Sequence, residues 1–266
     1  MDLQLTGKRA LITGGSRGIG KAIARALAAE GAAVAIVARD ESALKLAAEE
    51  LREEAGGHVV AIPGNTADSA SVDRFVAAAA EALGGIDILV NNAAAPGGQG
   101  PVPHLEEITD DVFWDDVNVK VLGYLRVARA VAPHMKAANW GRIISISGLA
   151  ARQSGSIVGS MRNVAVAALT KNLADELGPF GINVTVVHPG LTRTEKTPGV
   201  IAARAARSGR SEAEIEQEMA NLNAIHRLID AREVADVVAF LASPRAVAIT
   251  GDAIAVGGGV GRAIHY

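Results

Sequence analysis

The stretch "TGGSRGIG" at residues 13–20 decides the fold, because it joins the apolar run "RALIT" (9–13) to a helix-like segment. Gly14 allows a tight exit from a strand, Gly18 lets the backbone approach a pyrophosphate, and Gly20 allows close helix–strand contact. The helix N-terminus adds free N–H groups and the positive end of a dipole. This context predicts a dinucleotide site rather than an ordinary glycine-rich turn.

Short apolar runs alternate with helix-length segments along the rest of the chain. This alternation is typical of βαβ units on a parallel sheet, and no linker divides the chain, so residues 1–266 are interpreted as one α/β domain. The strand-like runs are "AVAIVA" (33–38), "HVVAIP" (58–63), "DILVNNAA" (87–94), "GRIISIS" (141–147) and "INVTVVHPG" (182–190), and the two longest helices are expected over 109–137 and 156–178.

The segment 195–226 differs in character, since it is charged and helix-like and contains no strand. An insertion after a late strand of an α/β sheet lies over the carboxyl edge, where ligands bind. We therefore expect a helical cap on the substrate side. A solvated surface helix is the alternative.

Composition narrows the function classes. A net charge of -3 without blocks of like charge argues against nucleic acid as a partner. The absence of cysteine excludes disulfides and Cys-ligated metals, favours an intracellular, cytoplasmic location, and leaves no metal site predicted. Neither a secretory signal nor a membrane-spanning run is found, so no membrane partner is expected.

The end of the second strand indicates which nucleotide is bound. An acidic residue there would select NAD through the ribose hydroxyls, whereas an arginine accommodates the 2′-phosphate of NADP. Ala38 offers no carboxylate, Arg39 follows it, and Arg17 is a second cation in the glycine loop. Asp40 is interpreted as the cap of the next helix. NADP is favoured over NAD, with a solvent-facing Arg39 as the alternative.

Three motifs in this order, "TGGSRGIG", "DILVNNAA" and "VHPGLTRT", resemble those of the short-chain dehydrogenase/reductase family. The closing "REVADVVAFLASPRAVAITGDAIAVGGG" is similar to the last helix and strand of that family. The resemblance implies a Rossmann-type doubly wound sheet of about seven strands with helices on both faces. It also implies a small carbonyl or alcohol substrate, and a homotetramer or dimer built through long helices.

The resemblance also implies a set of cofactor-binding residues. Asn65 would lie near the adenine, where the family more often has aspartate. Residues beside the fourth strand would line the cofactor, and those after the sixth strand would line its nicotinamide half. The full set is Gly14, Ser16, Arg17, Gly18, Ile19, Gly20, Arg39, Asn65, Thr66, Asn91, Ala93, Asn163, Pro189, Gly190, Thr192 and Thr194.

The family's chemistry uses a tyrosine as general acid and base, a lysine four residues later, a serine after the fifth strand and an asparagine on the preceding long helix. Asn118, in "WDDVNVKVLGY", matches the asparagine. The serine position falls on Gly148, so the adjacent Ser147 is the candidate substitute. The tyrosine and lysine positions hold Gly159 and Asn163.

No other tyrosine fills the position, because the chain has only two, Tyr124 and Tyr266. Tyr124 lies on the preceding helix and is interpreted as packing. Tyr266 is the last residue and would have to reach the site of a neighbouring subunit. Arg162 is always protonated, so it would stabilise an alkoxide or bind a carboxylate but is a poor proton donor.

Two functions from different classes remain open. The favoured one is an NADP-dependent oxidoreductase with a non-standard active site, whose candidate catalytic residues are Asn118, Ser147, Arg162 and Asn163. The alternative is a catalytically silent NADP-binding subunit or cofactor sensor. His188 is either a titratable group near the cofactor or a strand-end histidine bonded to backbone. Losing a general acid lowers a rate by about 10²–10⁴-fold without abolishing it.

Overall fold

A computed structural model describes residues 1–94 and 102–261. Within these residues the strands are β1 (Arg9–Thr13), β2 (Ala33–Ala38), β3 (Val59–Pro63), β4 (Ile88–Asn91), β5 (Gly141–Ile146), β6 (Ile182–Pro189), β7 (Thr192–Arg193), β8 (Ile229–Asp230) and β9 (Ala253–Val256). Seven of them form one parallel sheet in the order β3-β2-β1-β4-β5-β6-β9, and β7 pairs with β8 apart from it. The doubly wound sheet predicted above is confirmed.

Helices cover both faces of the sheet. One face carries the first, second and ninth helices, and the other carries the third, fifth and sixth. None of the helices in the described ranges is both long and apolar enough to cross a bilayer. The helices are α1 (Gly18–Ala29), α2 (Glu41–Ala55), α3 (Ser69–Leu83), α4 (Asp110–Val117), α5 (Gly123–Ala138), α6 (Ile157–Leu177), α7 (Thr197–Ser208), α8 (Glu212–Ala220) and α9 (Ala231–Ala242).

The strands are apolar on both sides because both faces of the sheet are covered. Along β1, Leu11 packs under α3 and α5, while its neighbour Ile12 packs under α1 and α9. Both side chains are fully buried. This two-sided burial explains why the strands read as continuous apolar runs rather than alternating ones.

Helix starts follow local side-chain chemistry. The Asp40 carboxylate accepts a hydrogen bond from the Ala43 backbone N–H at 3.0 Å, which confirms Asp40 as the cap of α2. Ser156 caps α6 in the same way, accepting from the Gly159 N–H at 3.1 Å. The caps set where each helix begins above the sheet.

The continuous helix expected over 109–137 is interrupted. A π-helical turn, Asn118–Leu122, separates α4 from α5. The chain is held closely at this point, since a Cβ on Gly123 would lie 3.0 Å from Thr66 Cβ. Arg126 adds a hydrogen bond to the Asn118 carbonyl oxygen at 3.1 Å. π-helical turns often mark functional sites. In this one, the Lys120 side chain is buried in the interior.

The segment 195–226 forms a helical pair, α7 and α8, beyond β6. The two helices share a small apolar cluster of their own, built around Ile201, Ile215 and Met219 and closed by Leu228. A separate cluster of this kind gives the helices a fixed packing. Their charged residues face outward.

Candidate active site

The carboxyl ends of β1 and β4 are clamped together. Asn92 Nδ2 donates to the carbonyl oxygens of Thr13 at 3.2 Å and Gly14 at 3.0 Å. In return, the Thr13 hydroxyl accepts from the N–H groups of Asn92 and Ala93 at 3.0 and 3.1 Å. The sequence analysis did not select Asn92, although it adjoins Asn91 in the "DILVNNAA" motif.

The glycine loop leaves no room for a side chain at Gly14 or Gly20. Gly14 has a φ of +69°, and a Cβ there would lie 2.8 Å from Asn92 Nδ2. A Cβ on Gly20 would lie 2.3 Å from the Gly14 carbonyl oxygen. Gly18, with a φ of +56°, faces open space apart from Thr194 at 3.6 Å. The bare backbone at the start of α1 therefore fits a phosphate group.

A carboxylate already lies against this backbone. The Gly18 N–H donates to Glu195 Oε2 at 3.1 Å, although the two residues are 177 positions apart. An anion at a helix N-terminus is stabilised by the free N–H groups and the dipole. The contact shows that this N–H donates to an anionic oxygen, so Glu195 would compete with a phosphate for it.

The carboxyl end of β2 presents cations. Arg39 is exposed directly after the strand, and Arg17 is exposed on the glycine loop, which also holds the half-buried Ser16 and Ile19. Asp40 is engaged as the cap of α2. A 2′-phosphate would meet positive charge here.

The loop after β3 and the end of β4 hold three predicted cofactor residues. The Asn65 side chain accepts from the Ala67 N–H at 3.1 Å, in a turn that shapes the loop. Thr66 is buried and donates to the Val119 carbonyl oxygen at 3.3 Å. Asn91 is buried, and within the described residues its Oδ1 has no hydrogen-bond partner. An unpartnered acceptor of this kind is compatible with a bound donor.

The loop after β6 lies beside the glycine loop. It follows Pro189, the last residue of β6, and a Cβ on Gly190 would lie 2.9 Å from Gly257 Cα, so this chain crossing requires glycine. Thr192 Oγ1 donates to the Gly190 carbonyl oxygen at 3.0 Å. Thr194 contacts the space above Gly18. The structure thus brings the predicted nicotinamide loop and the phosphate loop together.

Ser147 and Asn163 meet at the carboxyl end of β5. Ser147 Oγ lies 3.1 Å from Asn163 Oδ1 and 3.2 Å from the Asn163 carbonyl oxygen, and donates to them. A Cβ on Gly148 would lie 3.2 Å from Asn163 Nδ2. The Ser147 hydroxyl therefore bonds to Asn163, the same residue that a side chain at position 148 would contact.

The remaining predicted catalytic residues surround this pair. Arg162 forms an ion pair with Asp116 on α4, and its Nε is buried without a hydrogen-bond partner in the described part of the chain. Asn118 begins the π turn and is half-buried. At Gly159 a Cβ would lie 2.6 Å from Ser156 Oγ, the cap of α6.

Tyr124 is a packing residue, as predicted. It is fully buried, and its hydroxyl donates to the Ile146 carbonyl oxygen at 2.8 Å. Burial raises the pKa of this phenol far above its usual value, so it does not titrate near neutrality. The C-terminal Tyr266 lies outside the described residues.

His188 bonds to backbone, as the strand-end alternative predicts. Its Nδ1 accepts from the Gly148 N–H at 3.4 Å, and the side chain is buried. Burial lowers the pKa of His188 to about 4, helped by the positive charges of Arg152 and Lys120. The imidazole is therefore neutral at pH 7.

Lys120 is the residue that sequence reasoning missed. It is only 4% exposed, and its Nζ donates to the Ser147 carbonyl oxygen at 3.0 Å. The pKa of Lys120 is lowered to about 7, first by burial and then by the charge of Arg162, while Asp116 opposes the shift. The only signal in the sequence is a lysine among apolar residues in "NVKVLGY".

An apolar cavity opens beside the first turns of α6. Its volume is ≈ 580 Å³, and its walls include Val102, Leu105, Ile157 and Met161, with serine hydroxyls at the edge. Gly159 lies on the same helical turns. A cavity of this size and lining suits a small organic molecule with an apolar part.

Comparison with known proteins places the chain in context. A family model described as Enoyl-(Acyl carrier protein) reductase matches residues 14–261. The chain is 34% identical to the 3-oxoacyl-(acyl-carrier-protein) reductase of Vibrio cholerae, covering 97% of this chain and 99% of that protein. It is 36% identical to a short-chain reductase protein of Streptomyces niveus, covering 94% and 92%.

The fold is also similar to that of solved reductase structures. The L-sorbose reductase of Gluconobacter frateurii, complexed with NADPH and L-sorbose, superposes with a TM-score of 0.90. It shares 32% identity, and 98% of each chain is covered. Similarity of this extent and identity covers the whole sheet and both helical layers.

The contact between Glu195 and the Gly18 N–H leads to a testable prediction. Glu195→Gln should tighten NADPH binding by about two- to fivefold, because one charge near a helix N-terminus is worth ~0.3–1 kcal/mol. The glutamine removes a negative charge that competes with a phosphate for the Gly18 N–H. Fluorescence titration of the purified protein measures the affinity. Glu49→Gln, an exposed change on α2, is the matched control, and equal affinities in both variants would contradict the competition.

Proposed function

The chain belongs to the short-chain dehydrogenase/reductase family of oxidoreductases, and we propose that it is an NADP-dependent carbonyl reductase with a non-standard active site. The contact between Ser147 Oγ and Asn163, on the same sheet edge as the glycine loop, carries this proposal. Ser147 keeps a hydroxyl group in the site, although positions 159 and 163, where the family has tyrosine and lysine, hold glycine and asparagine.

The cofactor preference rests on charge. Arg39 and Arg17 are exposed beside the site for the adenosine ribose, and the adjacent Asp40 carboxylate is engaged as the cap of α2. An arginine pairs with a phosphate through charge-assisted hydrogen bonds. The NADPH complex of the similar L-sorbose reductase supports the same choice.

The chemistry assigned to the protein is reduction of a ketone or aldehyde, or its reverse. When bound, NADPH supplies the hydride. The carbonyl carbon would gain this hydride, and the oxygen would gain one proton from solvent. When a substrate is bound, the Ser147 hydroxyl would turn from Asn163, its partner in this structure, and donate its hydrogen bond to that oxygen, which lowers the energy of the developing alkoxide.

Other residues hold the serine and the charge around it. Asn163 orients the Ser147 hydroxyl. Asn118 and Arg162 lie on the elements that enclose it, and the ion pair of Arg162 with Asp116 keeps that side of the site closed. Arg162 acts here through its fixed charge rather than as a proton donor.

The substrate class follows from the apolar cavity and from the relatives. A 3-oxoacyl group and L-sorbose, which the names of two similar proteins specify, are both ketones. The apolar walls at Ile157, Met161 and Leu105 favour a ketone with an apolar chain over a sugar. The cap of α7 and α8 would cover the site from the side of Thr194.

We also propose a homo-oligomer. Large apolar side chains are exposed on α4 and α6, where a single chain leaves them without cover. Helices 109–137 and 156–178 were the predicted interface, and these side chains lie on them. The exposed set outside the apolar cavity is Val112, Trp114 and Val164.

Turnover tests the proposed function. NADPH consumption is measured over ketones, aldehydes and quinones of increasing apolar chain length. We expect turnover by the natural protein and a loss of about 10²–10³-fold in kcat on Ser147→Ala, the effect of removing one donor to an oxyanion. Ser42→Ala, exposed on α2, should match the natural protein. NADPH binding without any turnover would support the catalytically silent alternative.

Arg39→Asp tests the cofactor preference. Loss of a charge-assisted hydrogen bond, worth ~1.5–3 kcal/mol, should lower the affinity for NADPH relative to NADH by about ten- to hundredfold. Isothermal titration with both nucleotides measures this ratio. Arg245→Asp, at the opposite edge of the sheet, is the control. An unchanged ratio in Arg39→Asp would contradict 2′-phosphate binding.

Light scattering tests the assembly. At micromolar concentration we expect a dimer or tetramer, and Trp114→Glu with Val164→Glu should shift it toward monomer, because charge replaces apolar contact at the interface. Leu46→Glu, exposed on α2, should leave the mass unchanged. A monomeric natural protein would contradict the proposed interface.

A further inference from the structure

Lys120 is buried where lysine rarely lies. Lysine side chains normally keep their ammonium group in water, and a buried charge costs free energy unless it is paired. Lys120 is 4% exposed. In the described part of the chain, no carboxylate forms an ion pair with it, and its hydrogen-bond partner is the Ser147 carbonyl oxygen at 3.0 Å. This arrangement calls for a functional explanation.

Charged and titratable groups face Lys120 from three other elements. Asp116 lies on α4, Arg162 on α6 and His188 on β6. Asp116 is paired with Arg162, so the two largely cancel. His188 is neutral at pH 7 because its pKa is lowered to about 4, chiefly by burial. Lys120 therefore supplies the net positive charge next to Ser147.

The side chains of Lys120, His188 and Asn163 converge on Ser147 and Gly148. Lys120 holds the carbonyl oxygen of the Ser147–Gly148 peptide, and His188 Nδ1 holds its N–H at 3.4 Å. Asn163 holds the Ser147 hydroxyl at 3.1 Å. The backbone on either side of the donor hydroxyl is thus fixed from the π turn and from β6.

We propose that Lys120 is a positioning residue for carbonyl reduction, whose ammonium group holds the Ser147–Gly148 peptide and supplies the positive charge that α6, with Asn163, does not carry. The inference rests on the proposed function. The charge lies one hydrogen bond from Ser147, so it favours a developing alkoxide there. It comes from the π turn between α4 and α5.

The proposal has a pH signature. The pKa of Lys120 is lowered to about 7, mainly by burial, so the ammonium form prevails below this pH and is lost above it. The kcat for reduction should therefore fall as pH rises through about 7. If Lys120 only filled space, kcat would show no such fall at high pH.

Kinetics of Lys120→Met test this directly. Methionine keeps the length of the side chain without its charge. With saturating NADPH, we expect kcat at pH 6 to fall by at least about tenfold, the high-pH limb to disappear, and KM to stay within about twofold. Lys45→Met, exposed on α2, should keep the natural profile.

Unfolding without cofactor gives a second readout. Because the folded-state pKa lies below the unfolded one, between about pH 7 and pH 10 the unfolded chain binds a proton that the folded chain lacks. The unfolding equilibrium constant of the natural protein, relative to Lys120→Met, should then fall by up to about tenfold per pH unit. At pH 6 the variant should be at least as stable, since methionine replaces a buried charge.

The outcomes separate this inference from the proposed function. Absence of turnover in the natural protein would overturn both. Turnover with an unchanged pH profile in Lys120→Met would overturn the role of Lys120 alone, as would a pH-independent stability difference. A variant that is less stable at pH 6 would make Lys120 a structural cation and would also overturn it.

Discussion

The clamp between Thr13 and Asn92 is the contact on which the site depends. β1 and β4 are neighbours in the sheet but lie far apart in sequence, and the chain winds away from them in opposite directions. A crevice opens at such a switch point. Hydrogen bonds from Asn92 to two carbonyl oxygens hold its walls at a fixed separation. The glycine loop can then bring its bare N–H groups to the edge where Ser147 also emerges.

The second constraint is electrostatic. An ammonium group, a neutral imidazole and an amide side chain are all buried around Ser147 and Gly148. Burying such groups is costly, and the cost is offset because each bonds to the backbone or hydroxyl of the same corner. Asp116 and Arg162, which lie near Lys120, form a mostly buried ion pair with each other. The polar residues of the site thus come from four elements rather than from a single helix.

Local patterns predicted the fold well and the site in part. The strand-like runs and the Asp40 cap were correct because they depend on near neighbours in sequence. Ser147 and Asn163 were assigned to one site, and they do touch. The break in the helix at Asn118 was missed, because the neighbours of this turn, such as Thr66 beside Gly123, are distant in sequence. Lys120 was missed because a lone lysine on a helix usually lies in solvent.

The sequence by itself determined the doubly wound sheet, the glycine loop and the lack of a tyrosine and lysine at positions 159 and 163. Periodicity and residue identity are local properties, so they can be read along the chain. The tertiary structure decided the rest. It buried Lys120 beneath Ser147, neutralised His188 and set Glu195 against Gly18. Burial and electrostatic fields depend on residues that are distant in sequence, and only folding brings these together.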